Sequence, residues 1–298
     1  MDLSPDTSVL VTGASGALGW SLVRYLAPKC RVTGTYLLHE SVPEGAVAMR
    51  MDLADPRSID SVLASCRPAV IVHAAAMADP DRCEREPDRA RAVNVTGSRR
   101  IARHASGNGA ALILISTDLV FDGKGGDYEE EDEACPLSIY GATKLAAERD
   151  VLAENGEAAV IRSSLIYGWG SPASGTFFTG FHSSMSSGER MRLFTDQIRN
   201  PVLIDDLVRA ISLAVELDLR GLYHVGGDEA LSRFEFGEAV CDVFGFERQL
   251  LEPICMEDFE YLAARPLNCT LNTGRFRAAT GFNPRCLRDG LLRLRKAM

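Results

Sequence analysis

Ser8 to Thr12 is a short β-branched run, SVLVT, that ends directly on Gly13-Ala-Ser15-Gly16-Ala17-Leu18-Gly19, and Ala17 to Ala27 then carries apolar residues at helical spacing. A strand, a tight turn and a helix in that order constrain the chain more than any other feature. A turn with glycine at three of seven positions lets the backbone approach a pyrophosphate without Cβ interference. It also opens a helix whose first N–H groups point at the anion. Glycines in a turn can be simple punctuation, but behind the first strand of an α/β chain they point to a nucleotide cradle built from Gly13, Ser15, Gly16, Ala17, Leu18 and Gly19.

The same alternation recurs. Arg31 to Tyr36 and Ala46 to Met51 read as strands, Pro56 to Ser65 as a helix, Ala69 to His73 as a strand and Pro87 to Asn108 as one long helix. Ala111 to Ser116 is another buried strand, followed by a helix over Ile139 to Asn155 and a strand over Ala158 to Ser163. Continuous apolar strands separated by helices indicate a parallel sheet covered on both faces. The fold class expected is therefore α/β, a Rossmann-type doubly wound parallel sheet with a smaller C-terminal substrate-binding lobe. After Tyr167 the composition shifts to Gly, Ser and aromatic residues, which divides the chain into a dinucleotide-binding part, 1–167, and a mainly substrate-binding part, 168–298. Val202 to Ile204 and Tyr223 to Val225 are strand-like, so the stretch near 202–225 is expected to return to the first sheet. Ser232-Arg-Phe-Glu235 has the spacing of a capping box ahead of a helix running towards Phe244, and Leu287 to Lys296 reads as a terminal helix.

Thirty-two basic against 41 acidic residues give a net charge of -9, which argues against nucleic acid as a partner. The eight cysteines are scattered without a C-x-x-C pair or a histidine at zinc spacing, so no metal site and reduced thiols are expected. Residues 1–6 lack the basic and apolar regions of a leader, and no stretch approaches the roughly 18 apolar residues of a membrane span, so a cytoplasmic protein without a membrane partner is expected.

A site specific for NAD usually places an acid at the end of the second strand to bind the adenosine 2′-hydroxyl. Here Thr35-Tyr-Leu-Leu-His39 stands there, with no acid before Glu40. The missing carboxylate removes repulsion against a 2′-phosphate, so NADP(H) is the preferred cofactor, with NAD(H) as the alternative. His39 is a candidate for that phosphate, and Asp52 and Leu53, after the third strand, are candidates for the adenine, a helix cap being their other use.

Tyr140 and Lys144 lie four residues apart and share one face of the helix that starts near Ile139. A phenol is a poor proton shuttle at neutral pH, and a neighbouring ammonium is expected to lower its pKa towards the working range, leaving Tyr140 as a general acid. Ser116 and Thr117 end the preceding strand, where open α/β sheets bind ligands, and a hydroxyl there can hold a carbonyl oxygen.

These residues resemble the extended short-chain dehydrogenase/reductase family over essentially the whole chain, and within it the dTDP-4-dehydrorhamnose reductases. The supporting segments are His73-Ala-Ala-Ala76, Ala92-Val-Asn-Val-Thr-Gly97, Ile115-Ser-Thr-Asp-Leu-Val-Phe-Asp-Gly123, Pro136-Leu-Ser-Ile-Tyr-Gly-Ala-Thr-Lys144 and Arg265-Pro-Leu-Asn-Cys-Thr-Leu-Asn272. The resemblance implies a catalytic triad of Thr117, Tyr140 and Lys144 and a nicotinamide cofactor contacted also by Ala74, Ala75, Ala76, Tyr140 and Lys144. It further implies reduction of the 4-keto group of a nucleotide-linked 6-deoxysugar, with Asp118, Leu119 and Arg265 on the substrate and a homodimer as the candidate assembly. Leu119 stands where the family usually has Tyr, and Leu165 where it usually has Trp, so the sugar pocket departs from the family pattern. Leu119 also cannot supply the Glu that sugar-nucleotide 4,6-dehydratases use to deprotonate C5. A 4-epimerase would need a site that lets the keto intermediate rotate, on which the sequence is silent. A reading of another class is a dinucleotide-binding regulatory subunit resembling the β subunit of methionine adenosyltransferase, which shares the Ser-x-Asp-x-Val-Phe-Asp-Gly and Arg-Pro-x-Asn features and retains the Tyr and Lys.

Arg190, Arg192, Arg199, Arg233 and Arg265 are candidates for a substrate diphosphate, because guanidinium forms bidentate phosphate contacts. The six acids between Asp127 and Glu133 read as a solvated loop, with a divalent cation site or a flap as the sharper alternatives.

Overall fold

The computed structural model describes residues 3–298. The chain runs β1 (Ser8–Thr12), α1 (Ala17–Leu26), β2 (Arg31–Tyr36), β3 (Ala46–Arg50), α2 (Pro56–Cys66), β4 (Val70–His73), α3 (Pro80–Arg85), α4 (Pro87–Arg91), α5 (Ser98–Asn108), β5 (Ala111–Thr117), α6 (Ile139–Glu154) and β6 (Ala159–Ser163). It continues through β7 (Ile166–Tyr167), α7 (Phe177–Ser186), β8 (Met191–Phe194), β9 (Ile198–Arg199), β10 (Val202–Leu203), α8 (Ile204–Glu216), β11 (Gly221–Val225), β12 (Leu231–Ser232), α9 (Arg233–Phe244), β13 (Leu251–Ile254), α10 (Gly274–Thr280) and α11 (Leu287–Lys296).

Seven strands form one parallel sheet in the order β11-β6-β5-β4-β1-β2-β3. The chain winds outward from β1 in one direction through β2 and β3, and in the other through β4, β5 and β6. The crevice between β1 and β4 is therefore the topological switch point at which open α/β sheets bind ligands. Apolar residues of both sheet faces are buried, as the continuous runs require: α1 and α8 cover one face with Leu22, Val23, Leu207 and Ile211, and α2, α5 and α6 cover the other with Val62, Leu63, Ile101 and Val151. A third apolar cluster, built on Tyr167, Phe178, Phe181, Phe236 and Leu291, organises the C-terminal part. Ser232 and Glu235 form the reciprocal cap of α9.

Two expectations are corrected. The stretch from Pro87 to Asn108 is not one α-helix but α4 and α5 joined by a π-helical turn over Ala92–Gly97. The cause is tertiary: Asn94 on that turn both accepts from Met77 N and donates to Met77 O, at 2.8 and 3.1 Å, and donates to Thr143 Oγ1 at 3.1 Å, which fixes the exit from β4 against α6. Of the strand-like segments near 202–225, β11 does extend the large sheet beside β6, whereas β10 pairs with β7 in a separate two-stranded sheet.

Candidate active site

The glycine turn owes its shape to two contacts. Gly13 has φ +72°, and a Cβ there would come within 2.9 Å of Ala75 Cα, so β1 and the segment after β4 touch through bare backbone. A Cβ on Gly19 would lie 2.2 Å from Gly13 O, so α1 can begin only if that residue has no side chain. Gly16 precedes α1 without a side-chain cap, and the first turn contains no acid, which leaves the helix N-terminus to an outside anion. On the far side His73 is fully buried between Thr12 Oγ1 (2.7 Å) and Ser98 Oγ (2.9 Å), and Thr12 Oγ1 in turn accepts from Ala75 N. Burial, then the Lys144 charge, push its pKa down to about 3, so it serves as a neutral strut for the Ala74–Ala76 wall.

These elements enclose a cavity of about 420 Å³. Gly13, Ser15, Gly16, Ala17, Leu18, Gly19, His39, Asp52, Leu53, Ala74, Ala75 and Ala76 all line it, joined by Thr35, Tyr36, Leu37 and Met51. Asp52 also accepts from Ala54 N at 2.9 Å. Sequence reasoning missed Ala173 and Ser174, which reach this cavity from the other lobe. Their neighbour Ser171 donates to Ser15 O, pinning the glycine turn. The bare backbone, the uncapped helix and a cavity running from the glycine turn to the ends of β2 and β3 fit a dinucleotide.

A second cavity of about 490 Å³ adjoins the first through Leu18, Ala74, Ala76 and Ala78. Thr117, Tyr140 and Lys144 meet there, together with Asp118, Leu119 and Arg265. α6 delivers Tyr140 and Lys144 one turn apart, and its close approach to the end of β5 requires Gly141, whose Cβ would lie 2.2 Å from Leu119 O. Thr117 Oγ1 accepts from Leu119 N at 3.2 Å and donates to Asp118 Oδ1 at 3.1 Å.

The electrostatics correct the expectation that the ammonium lowers the phenol. Lys144 Nζ donates to Ile115 O at 2.7 Å, and burial pushes its pKa down to about 8 against the raising influence of Glu148. Burial, reinforced by the Asp118 carboxylate, raises Tyr140 above the ordinary phenol range, while the neighbouring Thr117 hydroxyl opposes the rise. Desolvation sets the direction, and the lowering influence on it comes from Thr117 rather than from Lys144, so Tyr140 is held protonated. Behind the cleft Glu148 accepts two bonds at 3.1 Å from Arg162 Nε and one at 2.7 Å from Nη2, and also accepts from Ser116 Oγ. This buried pair carried no signal of its own in the sequence.

Of the five candidate arginines, Arg199, Arg233 and Arg265 line the cleft. Arg190 and Arg192 do not, and Arg192 lies over the Phe259 ring. Arg199 pairs with buried Asp118 at 3.0 Å and donates to the carbonyls of Ile198, Pro266 and Leu267. Arg233 donates to Gln197 and Arg265 to Asp81, but Nη1 of each is buried without a partner. Burial, then the Arg199 charge, bring Arg233 down to about 9. The acidic run is not simply solvated: the Glu130 side chain is 4% exposed and accepts from His224 N at 2.9 Å, and Glu131 pairs with Arg275. Among the described residues no group of three His, Cys, Asp or Glu side chains is placed to hold a metal, all eight cysteines carry free thiols, and no helix is long and apolar enough to cross a membrane.

The sequence pattern of the RmlD substrate binding domain matches residues 7–298. The chain is 32% identical over 294 residues to the probable low-salt glycan biosynthesis reductase Agl14 of Haloferax volcanii, covering 96% of this chain and 97% of that protein. It is 33% identical over 284 residues to methionine adenosyltransferase 2 subunit beta of Pongo abelii, covering 91% and 82%. The fold matches the crystal structure of dTDP-4-dehydrorhamnose reductase from Bacillus anthracis in complex with NADP with a TM-score of 0.85 at 28% identity, over 97% of this chain and 99% of that one. With the glycine turn, the seven-stranded sheet and the paired cavities lying inside the matched residues, the chain belongs to the RmlD substrate-binding domain family and has an extended short-chain dehydrogenase/reductase-like fold.

Proposed function

We propose that this member of the sugar-nucleotide reductase family reduces the 4-keto group of a nucleotide-linked 6-deoxysugar, with NADP(H) preferred over NAD(H). The observation that carries the reading is the joining of the two cavities: the Thr117, Tyr140 and Lys144 cleft opens into the dinucleotide cavity and is itself lined by Arg199, Arg233 and Arg265. When bound, the dihydronicotinamide supplies hydride. The chain's own residues do the rest. Thr117 orients the sugar oxygen and Tyr140 gives it a proton. A phenol held protonated suits that direction, because an alkoxide forming on the sugar is the stronger base. Lys144, as the cation, binds the nicotinamide ribose and balances the charge. Arg233 and Arg265 take the substrate diphosphate.

In this reading residues 1–167 carry the dinucleotide and 168–298 mainly the sugar nucleotide, with 202–225 returning to the first part and Ala173 and Ser174 crossing over to the cofactor. The test is loss of dihydronicotinamide absorbance when purified protein meets NADPH and a dTDP-4-keto-6-deoxyhexose. Tyr140→Phe should lower kcat by about a hundredfold or more while leaving NADPH affinity unchanged. The 33% identity to methionine adenosyltransferase 2 subunit beta favours one other reading, a dinucleotide-binding regulatory subunit. Tight NADPH binding with no turnover of any nucleotide-linked keto sugar would select it.

A further inference from the structure

β2 ends on Tyr36-Leu-Leu-His39, a segment with neither arginine nor lysine. In dinucleotide folds an arginine near that position accommodates the adenosine 2′-phosphate. The neighbouring strand brings one. β3 pairs Arg50 with Tyr36, and Arg50 Nε donates to Leu37 O at 3.2 Å. Tyr36, Leu37 and His39 line the dinucleotide cavity, as do Met51 and Asp52, which follow Arg50. Arg50 itself is not among the lining residues, but its backbone leads directly into one stretch of the wall and its exposed guanidinium is held against Leu37, which belongs to another. Among the described residues Nε is its only nitrogen with a protein acceptor, and Nη1 and Nη2 donate to none. The nearest acid at the end of β2, Glu40, is engaged instead with the Tyr36 phenol.

The geometry points to Arg50 as the residue that grips the 2′-phosphate of NADP(H), from its seat against Leu37, with His39 offering a second contact from the cavity wall. Cofactor choice in this chain is then set from β3 rather than from the end of β2. A planar fork with two free N–H-bearing nitrogens suits a phosphate dianion, and the carbonyl of Leu37 fixes the fork's third side. This inference deepens the NADP(H) reading above and rests on it.

The test is titration calorimetry of the full chain with NADP⁺ and, separately, NAD⁺, for the unsubstituted protein, Arg50→Ala and His39→Ala. The unsubstituted protein should bind NADP⁺ more tightly. Arg50→Ala should lose about ten- to a hundredfold in NADP⁺ affinity, the range expected for bonds to a charged group, and keep its NAD⁺ affinity. Retained NAD⁺ binding also shows that the variant is folded. His39→Ala should lose less. If the unsubstituted protein prefers NADP⁺ but Arg50→Ala keeps that preference, Arg50 is not the reader and the NADP(H) reading stands. If the unsubstituted protein binds both dinucleotides equally, the NADP(H) reading itself falls, and this inference with it.

Discussion

The Glu148–Arg162 pair lets a buried charge be tested for what it contributes to stability and to Lys144. Their side chains are 4% and 5% exposed, and the carboxylate satisfies Arg162 twice over while holding Ser116 at the rim of the cleft. Glu148→Leu leaves a guanidinium buried with only the imidazole of His224 at 3.4 Å and the Phe121 ring beneath it. Arg162→Met leaves a buried carboxylate. Breaking such a pair from one side costs about 3–5 kcal/mol. The double variant buries no unpaired charge and loses only the bonds from Ser116 and to His224, about 1 kcal/mol each, so it should stand roughly 2 kcal/mol below the unsubstituted protein. Each single variant should fall well below the double.

Urea unfolding followed by circular dichroism, closed as a double-mutant cycle, measures this directly. The coupling should amount to several kcal/mol, with the double variant more stable than either single one. If the double variant loses the sum of the two single losses, the two residues do not act as a pair and the single substitutions leave no stranded charge behind. The same variants report on catalysis. Glu148 supports the charged form of Lys144, so removing its carboxylate should move the lysine's pKa further below about 8, and the alkaline limb of the rate profile with it.

In the proposed reaction the ammonium form of Lys144 is the one required, and with its pKa brought down to about 8, kcat/KM should fall as pH rises through that value, while Lys144→Arg should push the fall to higher pH. His73 has a folded pKa of about 3 against 6.5 when free, so below pH 6.5 the unfolded chain takes up a proton that the folded chain refuses. Its contribution is complete above pH 6.5 and shrinks as pH falls, by about 3 kcal/mol at pH 4.5; an unfolding series against pH should be flatter over that window for His73→Asn. Gly19→Ala forces a methyl to 2.2 Å from Gly13 O and should cost about 1–3 kcal/mol together with most of the dinucleotide affinity, which thermal shifts with and without NADPH would record.

Much of the fold and of the site is legible in the amino-acid sequence, because it depends on local pattern. Strand and helix periods locate the sheet, the glycine turn locates the switch point, and a four-residue spacing puts Tyr140 and Lys144 on one face. What escapes depends on partners far apart in the chain. The break at Ala92–Gly97 comes from Asn94 reaching Met77 and Thr143, while the residues between Pro87 and Asn108 suit a continuous helix equally well. Asp118 and Arg199 are 81 positions apart, and nothing around either announces an ion pair. Spacing also shows that an ammonium stands near a phenol, but not that both have lost their water, and here that loss decides the direction in which the phenol shifts. The sequence does not separate β10 from the large sheet, because two apolar residues read the same beside any parallel neighbour.

The three cleft arginines differ in what they can still do. The chain carries -9 overall, so an anionic substrate meets repulsion at long range and must be drawn in by local charge. Arg199 is committed: Asp118 neutralises it and three carbonyls hold its fork. It fixes the floor of the cleft and has little left for a ligand. Arg233 and Arg265 line the cleft and donate to Gln197 and Asp81, and in each a second guanidinium nitrogen is buried without a partner. A pKa near 9 for Arg233 registers the cost of keeping that charge away from water. In the proposed reading a substrate diphosphate brings negative charge to these arginines, so its binding and the protonation of Arg233 should reinforce each other. In the proposed reading a neutral sugar lacking the diphosphate leaves that charge unmet, so the anionic nucleotide end, rather than the sugar ring, should supply most of the substrate's hold on the cleft.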